Sequence, residues 1–290
     1  MEPREYRRMF SLEETHWWYR ALRIRIARAL GNAGALPSRP SAALPRCLDA
    51  GCGTGMLLAF LRGRVRATGL DASPDALALA RTREVGPLVR ASVEALPFRS
   101  ASLDIILSAD VLYHRGVRDD RAALREAARC LKPGGVLILN LPAFAWLTSS
   151  HDRAIHTARR YTAGEVRRKM QASGLTPLRV RYWNSLLFVP LALVRLLRRS
   201  RLRGTEVQSD LDRVPGWLDG ILSRALALEQ ALDFVPWPAG LSILASARRE
   251  GASQAAFPGS EASPSEDANR AHARPAAASS AEHAPQGEQR

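Results

Sequence analysis

The sequence predicts an α/β protein: a mostly parallel sheet with helices on both faces. Three observations carry that prediction. Apolar runs of strand length alternate with helical patterns between about residues 46 and 183. The first run, Arg46–Ala50, passes directly into glycines at 51, 53 and 55 and then into a helical stretch. The second run, residues 65–70, ends on Asp71, 20 residues after Gly51, where an acid at a neighbouring strand tip meets a ribose diol.

Glycine is needed where the backbone turns sharply or a ligand approaches the main chain. The free N–H groups of a helix start receive polar or anionic ligand groups. Strand, turn and helix (56 to about 62) therefore form a cradle at the carboxyl edge of the sheet, the ligand position of open α/β folds. The dinucleotide fingerprint GxGxxG would need a third glycine at 56, which is Met56. The spacing is GxGxG instead, with Asp49 two residues ahead of it.

Before this cradle, Leu12, Trp17, Ala21, Ile24 and Leu30 fall at helical spacing, so residues 11–30 read as one helix carrying the aromatic cluster His16-Trp17-Trp18-Tyr19. Residues 1–45 are a helical lid and linker, or a helix packed on the domain edge. After the second strand, Ser73 and Pro74 suit an N-cap and first helical position, opening a helix over 74–84. Residues 88–92 are a third strand, 102–108 a fourth, 118–131 a helix and 136–141 a fifth strand. Thr162 and Glu165 form a capping box, so a helix runs to about 173. Residues 175–183 are the sixth strand and 240–247 the last, which leaves 184–239 as a helical insertion. Its apolar start, 186–194, precedes Arg195, Arg198, Arg199, Arg201 and Arg203, a pairing that suits either an anionic membrane surface or a buried lid. Residues 248–290 are rich in Ala, Ser, Pro, Gly, Glu and Arg, with one large apolar residue, Phe257, and read as a disordered tail.

The acid-GxGxG turn, the string Gly69-Leu70-Asp71-Ala72-Ser73-Pro74 and the turn Leu131-Lys132-Pro133-Gly134-Gly135 resemble motifs of the class I S-adenosylmethionine-dependent methyltransferases, over about residues 46–142. The resemblance implies a Rossmann-like, seven-stranded, mostly parallel sheet whose last strand runs antiparallel. It implies S-adenosyl-L-methionine as cofactor, with Asp49 near its ammonium group and Gly51, Gly53, Thr54 and Gly55 under its methionine part. Asp71 and Ala72 would hold the ribose, Ser92 and Val93 the adenine, and Ser108 and Asp110 the amino-acid end. Where family members often carry Asp, this chain has Ser92, a weaker acceptor than a carboxylate.

The acceptor side is less legible. Tyr113 and His114 follow the fourth strand, and His151, Asp152, His156, Arg159, Arg160 and Tyr161 lie beyond the fifth. His114, His151, His156 and Tyr161 are the candidates to orient or deprotonate an acceptor. Arg159 and Arg160 suit an anion; Asp152 and His156 lack the further ligands of a metal site, so no metal is expected. The formal charge is +14, with only two lysines, Lys132 and Lys169; anionic partners or a plain Arg/Ala bias both account for it. Three cysteines make no disulfide framework and fit a reducing, cytoplasmic setting. The charged N-terminus lacks the apolar core of a signal peptide, and no apolar run is long enough to span a bilayer. A small-molecule or lipid-linked acceptor is expected, with peripheral contact to anionic membrane and no obligate protein partner. The Asn/Asp-Pro-Pro-Tyr/Phe motif of amino-methylating DNA enzymes is absent after the fourth strand, which speaks against a nucleic-acid acceptor. A nicotinamide-dependent oxidoreductase and a non-catalytic cofactor-binding module stay open as alternatives.

Overall fold

A computed structural model of the chain describes residues 2–37, 43–148, 152, 155–193 and 215–251. His151, the arginine cluster of 195–203 and the tail beyond 251 lie outside the described residues. Seven strands form one sheet in the order β3-β2-β1-β4-β5-β7-β6. They are β1 (Arg46–Ala50), β2 (Arg66–Asp71), β3 (Leu88–Arg90), β4 (Leu103–Ala109), β5 (Leu131–Pro142), β6 (Leu175–Trp183) and β7 (Ser242–Arg249). Pairing is parallel from β3 to β5, while β7 runs antiparallel between β5 and β6. The order reverses between β1 and β4, so the glycine turn sits at the crevice where such sheets bind ligands.

The central strands are buried on both faces. Leu48, Leu70, Ile106, Leu137 and Leu139 pack on one side, with Tyr161 and Met170. Cys47, Ile105, Leu107, Val136 and Ile138 pack on the other, with Leu22, Ile26, Leu30 and Trp183. That two-sided burial explains why these strands read as continuous apolar runs. The helices are α1 (Pro3–Leu12), α2 (Trp17–Asn32), α3 (Met56–Phe60), α4 (Pro74–Arg81), α5 (Asp120–Cys130), α6 (Ala163–Gln171) and α7 (Gly216–Ala231). Ser73 and Thr162 cap α4 and α6 through their side chains, as the sequence predicts.

Three expectations need correction. The N-terminal helix is two helices, broken at Glu13–His16: His16 caps α2 by accepting from the Trp18 N–H at 3.3 Å, while Glu13 turns inward. The third strand ends at Arg90 rather than 92. The fifth strand begins at Leu131, because the Pro133-Gly134-Gly135 turn is accommodated as an irregularity in the β4–β5 ladder. Of the insertion, residues 188–193 are helical and α7 lies against α2.

Candidate functional site

The glycine turn is fixed by two hydrogen bonds, the N–H groups of Gly51 and Cys52 both donating to the Leu70 carbonyl at 2.7 and 2.8 Å. Gly51 has φ +91° and Gly55, which precedes α3, has φ +82°, conformations that side-chain-bearing residues resist. A Cβ at Gly51 would lie 2.2 Å from a Val111 methyl. β1 and β4 can therefore approach only over a bare glycine.

Carboxylates surround the turn. Asp49, at the end of β1, is 2% exposed; burial first, then the charges of Asp71 and Glu13, raise its pKa to about 7. Asp71, at the tip of β2, accepts from the N–H groups of Gly53 (Oδ2, 2.9 Å) and Ser73 (Oδ1, 2.9 Å). One backbone donor on each oxygen fixes the carboxylate and leaves acceptor capacity for a diol. Asp110 follows β4 with φ +60°. The Asn140 Nδ2 donates to both its oxygens, at 3.1 and 3.0 Å, and burial still raises it to about 7. Near the end of β4 the Ser108 hydroxyl is buried without a partner. Ser92 accepts from the Glu94 N–H, beside buried Val93; Ala72 is exposed after the β2 tip. The buried acids and the orphan hydroxyl suit a ligand carrying positive charge, a diol and polar edges.

α1 and the break after it pack against this turn. Met9 lies where a Cβ on Gly53 would be, 3.0 Å away. Glu13 accepts from the Thr54 hydroxyl and from Arg83 (2.9 Å), and the Arg83 guanidinium stands 4.1 Å over the Phe10 ring. Thr54 is fully buried, so its side chain serves the α1 contact. Burial, then the carboxylates of Glu13, Asp110 and Glu5, raises the Tyr19 phenol. Neither Glu13 nor Tyr19 is legible as a site residue from the sequence: Glu13 lies in the break between α1 and α2 and Tyr19 in the first turn of α2, a stretch whose 3.6-residue pattern reads as one helix.

The acceptor-side candidates divide. His114 and His156 come together, ring centroids 5.9 Å apart, and the loops that carry them join in an isolated antiparallel bridge at His114–Thr157. Burial above all, with His156 a smaller cause, lowers His114 to about 4. Its Nδ1 accepts from the Gly116 N–H at 3.2 Å, so the neutral ring carries its proton on Nε2. Tyr113 is buried, its phenol raised by burial and by Asp110. Tyr161 does not join them. It is 2% exposed in the core, its hydroxyl within 2.9 Å of Asp120 and 3.1 Å of the Leu112 carbonyl, which makes it a strut between α5 and the loop after β4. The two arginines are likewise internal: Arg160 forks onto Asp152 at 2.9 and 3.0 Å and donates to the Ala143 carbonyl, and Arg159 donates to the Val117 carbonyl and pairs with Asp120. Asp152 is thereby committed to Arg160, and among the described residues no His/Cys/Asp/Glu group could hold a metal.

At the same carboxyl edge, after β5 and β6, Phe144 stacks on Tyr182 (5.0 Å) and meets Phe188 (5.7 Å), with Trp146 edge-on to Phe188. Trp146, Val189 and Leu193 remain exposed there, at 46%, 70% and 55%.

A methyltransferase-domain family model matches residues 48–139. A malonyl-[acyl-carrier protein] O-methyltransferase from Dechloromonas aromatica is 30% identical over 217 residues, covering 70% of this chain and 78% of that protein. One from Enterobacter lignolyticus is 38% identical over 110 residues, covering 37% of this chain and 43%, less than half, of that protein. A solved S-adenosylmethionine-dependent methyltransferase from Mesorhizobium loti shares the fold with a TM-score of 0.52, over 82% of this chain and all of that one, at 18% identity.

Proposed function

The chain belongs to the class I S-adenosylmethionine-dependent methyltransferases, and on that premise we propose that it methylates a small-molecule or lipid-linked acceptor held against the aromatic cluster of Phe144, Trp146, Tyr182 and Phe188. The observation that carries the acceptor reading is that this cluster follows β5 and β6 at the carboxyl edge that also bears the glycine turn, next to exposed Val189 and Leu193. An apolar surface of that kind suits an acyl or prenyl chain.

S-Adenosylmethionine, when bound, supplies an electrophilic methyl group on a sulfonium. Asp71 would take the ribose hydroxyls with its remaining acceptor capacity, and Asp49 and Asp110 would balance the cofactor's positive charge. The methionine part would lie against the backbone of the turn, beside Val111 and Met9, which pack on Gly51 and Gly53. His114, neutral at pH 7 with its proton on Nε2, is a donor there and orients an acceptor oxygen rather than removing its proton. α1, through Met9, and α2, through Tyr19, exclude water from the turn, and the reaction gains mainly from alignment. Among the described residues no helix is long and apolar enough to cross a membrane. Contact with membrane would therefore be peripheral, through Trp146, Val189 and Leu193 with the sequence's arginines at 195–203 against anionic lipid.

The test is transfer of labelled methyl from S-adenosylmethionine into a lipid extract, a polar extract, RNA and malonylated acyl carrier protein, the acceptor named for the relatives above. We expect a mass-identified product in the lipid or polar small-molecule fraction, and salt-sensitive binding to anionic but not neutral vesicles. Label confined to carrier protein or RNA would overturn the acceptor reading.

A further inference from the structure

Asp110 is tied to the far edge of the sheet by a chain of buried polar contacts. Trp183, at the end of β6, donates its indole N–H to the Asn140 Oδ1 at 2.8 Å. Asn140, on β5, donates in turn from Nδ2 to both Asp110 oxygens, and the Asp110 N–H donates back to the Asn140 carbonyl at 3.0 Å. Both Trp183 and Asn140 are 1% exposed. They are not neighbours in the sheet: β7 lies between their strands, with Asn140 paired to Leu244 and Trp183 to Ser242. Two strand spacings, about 9.5 Å, are spanned by the indole.

The indole decides which way the amide points. A carboxamide has a donor end and an acceptor end, and only the donor end can face a carboxylate. With the indole N–H holding Oδ1, the NH2 group is turned to Asp110. Trp183 is itself held by the helices added around the core. Trp18 of α2 stacks on it at 5.9 Å, and the Arg25 guanidinium lies 5.1 Å above its ring. Arg25 pairs with Glu229 of α7 at 2.9 Å, both almost fully buried. Glu229 also accepts from the N–H groups of Asn184, Ser185 and Leu186, which fixes the chain directly after Trp183.

The geometry points to Trp183 and Asn140 as positioning residues that hold the Asp110 carboxylate, in its charged form, toward the methyl-donor pocket, with α2 and α7 as their buttress. The inference rests on the reading of Asp110 as a cofactor-side acid. Other groups facing Asp110 are Arg160 from the loop before α6, Tyr19 from α2 and Tyr113 from the loop after β4. The side-chain hydrogen bond on Asp110 comes from the Asn140 amide, and Arg160, forked onto Asp152, acts on it through its charge.

The experiment is the pH profile of S-adenosylmethionine affinity, by calorimetry, for the wild type, Trp183→Phe, Asn140→Ser and Asp110→Asn. Trp183→Phe keeps the ring and loses only the N–H. Loss of a hydrogen bond to the charged form raises a carboxyl pKa. The rise of affinity with pH should therefore shift upward by about one unit in Trp183→Phe, weakening binding about fivefold near pH 7 and within about twofold at about pH 9. Asn140→Ser should shift it the same way, which covers the case that the tryptophan variant does not fold. Equal weakening at every pH, or an unshifted profile, would overturn the positioning role. If Asp110→Asn leaves the wild-type profile intact, the placement of Asp110 in the pocket fails instead; if it makes the profile shallower, leaving only the dependence due to Asp49, while Trp183→Phe does not shift it, only the positioning inference falls.

Discussion

Gly51→Ala tests the geometry of the turn at one atom. The added methyl would stand 2.2 Å from the Val111 Cγ2 and 2.9 Å from its Cγ1, so Val111 has to move. It would also place an alanine at φ +91°. The backbone term costs about 1–2 kcal/mol and the overpacking term about 1–3 kcal/mol, together about 2–5 kcal/mol against a native stability of about 5–15 kcal/mol. For a chain of this size that is a fall in melting temperature of about 4–20 °C. Val111 adjoins Asp110, so cofactor affinity should drop as well. The pairing partner separates the two terms. Gly51→Ala with Val111→Ala removes the clash but not the positive φ, and should recover about 1–3 kcal/mol of the single-variant loss, a coupling visible in a double-mutant cycle. Scanning calorimetry and cofactor titration measure all four proteins. An unchanged melting temperature in Gly51→Ala, or strict additivity in the cycle, would refute the account.

Asp49 makes both affinity and stability depend on pH. Its pKa is raised to about 7 by burial, so a cationic ligand that favours the charged form should bind about eightfold more tightly at pH 7.5 than at pH 6 through this group alone. Without ligand the sign reverses. The folded state holds a proton that the unfolded state has lost, so this contribution to stability falls as pH rises from about 4 to about 7; Asp49→Asn should flatten both trends, read by calorimetry and thermal melts. Breaking the buried Asp152–Arg160 fork at one end, by Arg160→Ala, should cost about 3–5 kcal/mol because a buried carboxylate loses its partner. Removing both side chains should cost less than Arg160→Ala, as thermal melts of the two variants would show.

Much of this molecule is set by near neighbours in the chain. The strand-glycine-helix unit at Arg46–Phe60, the acid closing β2 and the caps at Ser73 and Thr162 depend on local backbone chemistry, so residues 46–183 are legible as α/β and Asp49, Gly51 and Asp71 as its working edge. The break between α1 and α2 is different. Glu13 sits in a segment whose periodicity favours continuation, and only Thr54 and Arg83, 41 and 70 residues away, turn it inward. Tyr161 and Arg160 look like surface chemistry in a polar run, yet Asp120 and Asp152 draw them into the interior. Periodicity reports which face of an element is apolar; it cannot report which distant carboxylate a guanidinium or phenol will find once buried. The link from Trp183 to Asn140 to Asp110 was beyond the sequence for the same reason. It exists only because the antiparallel β7 inserts between β5 and β6 and sets two strands from different parts of the chain one indole apart.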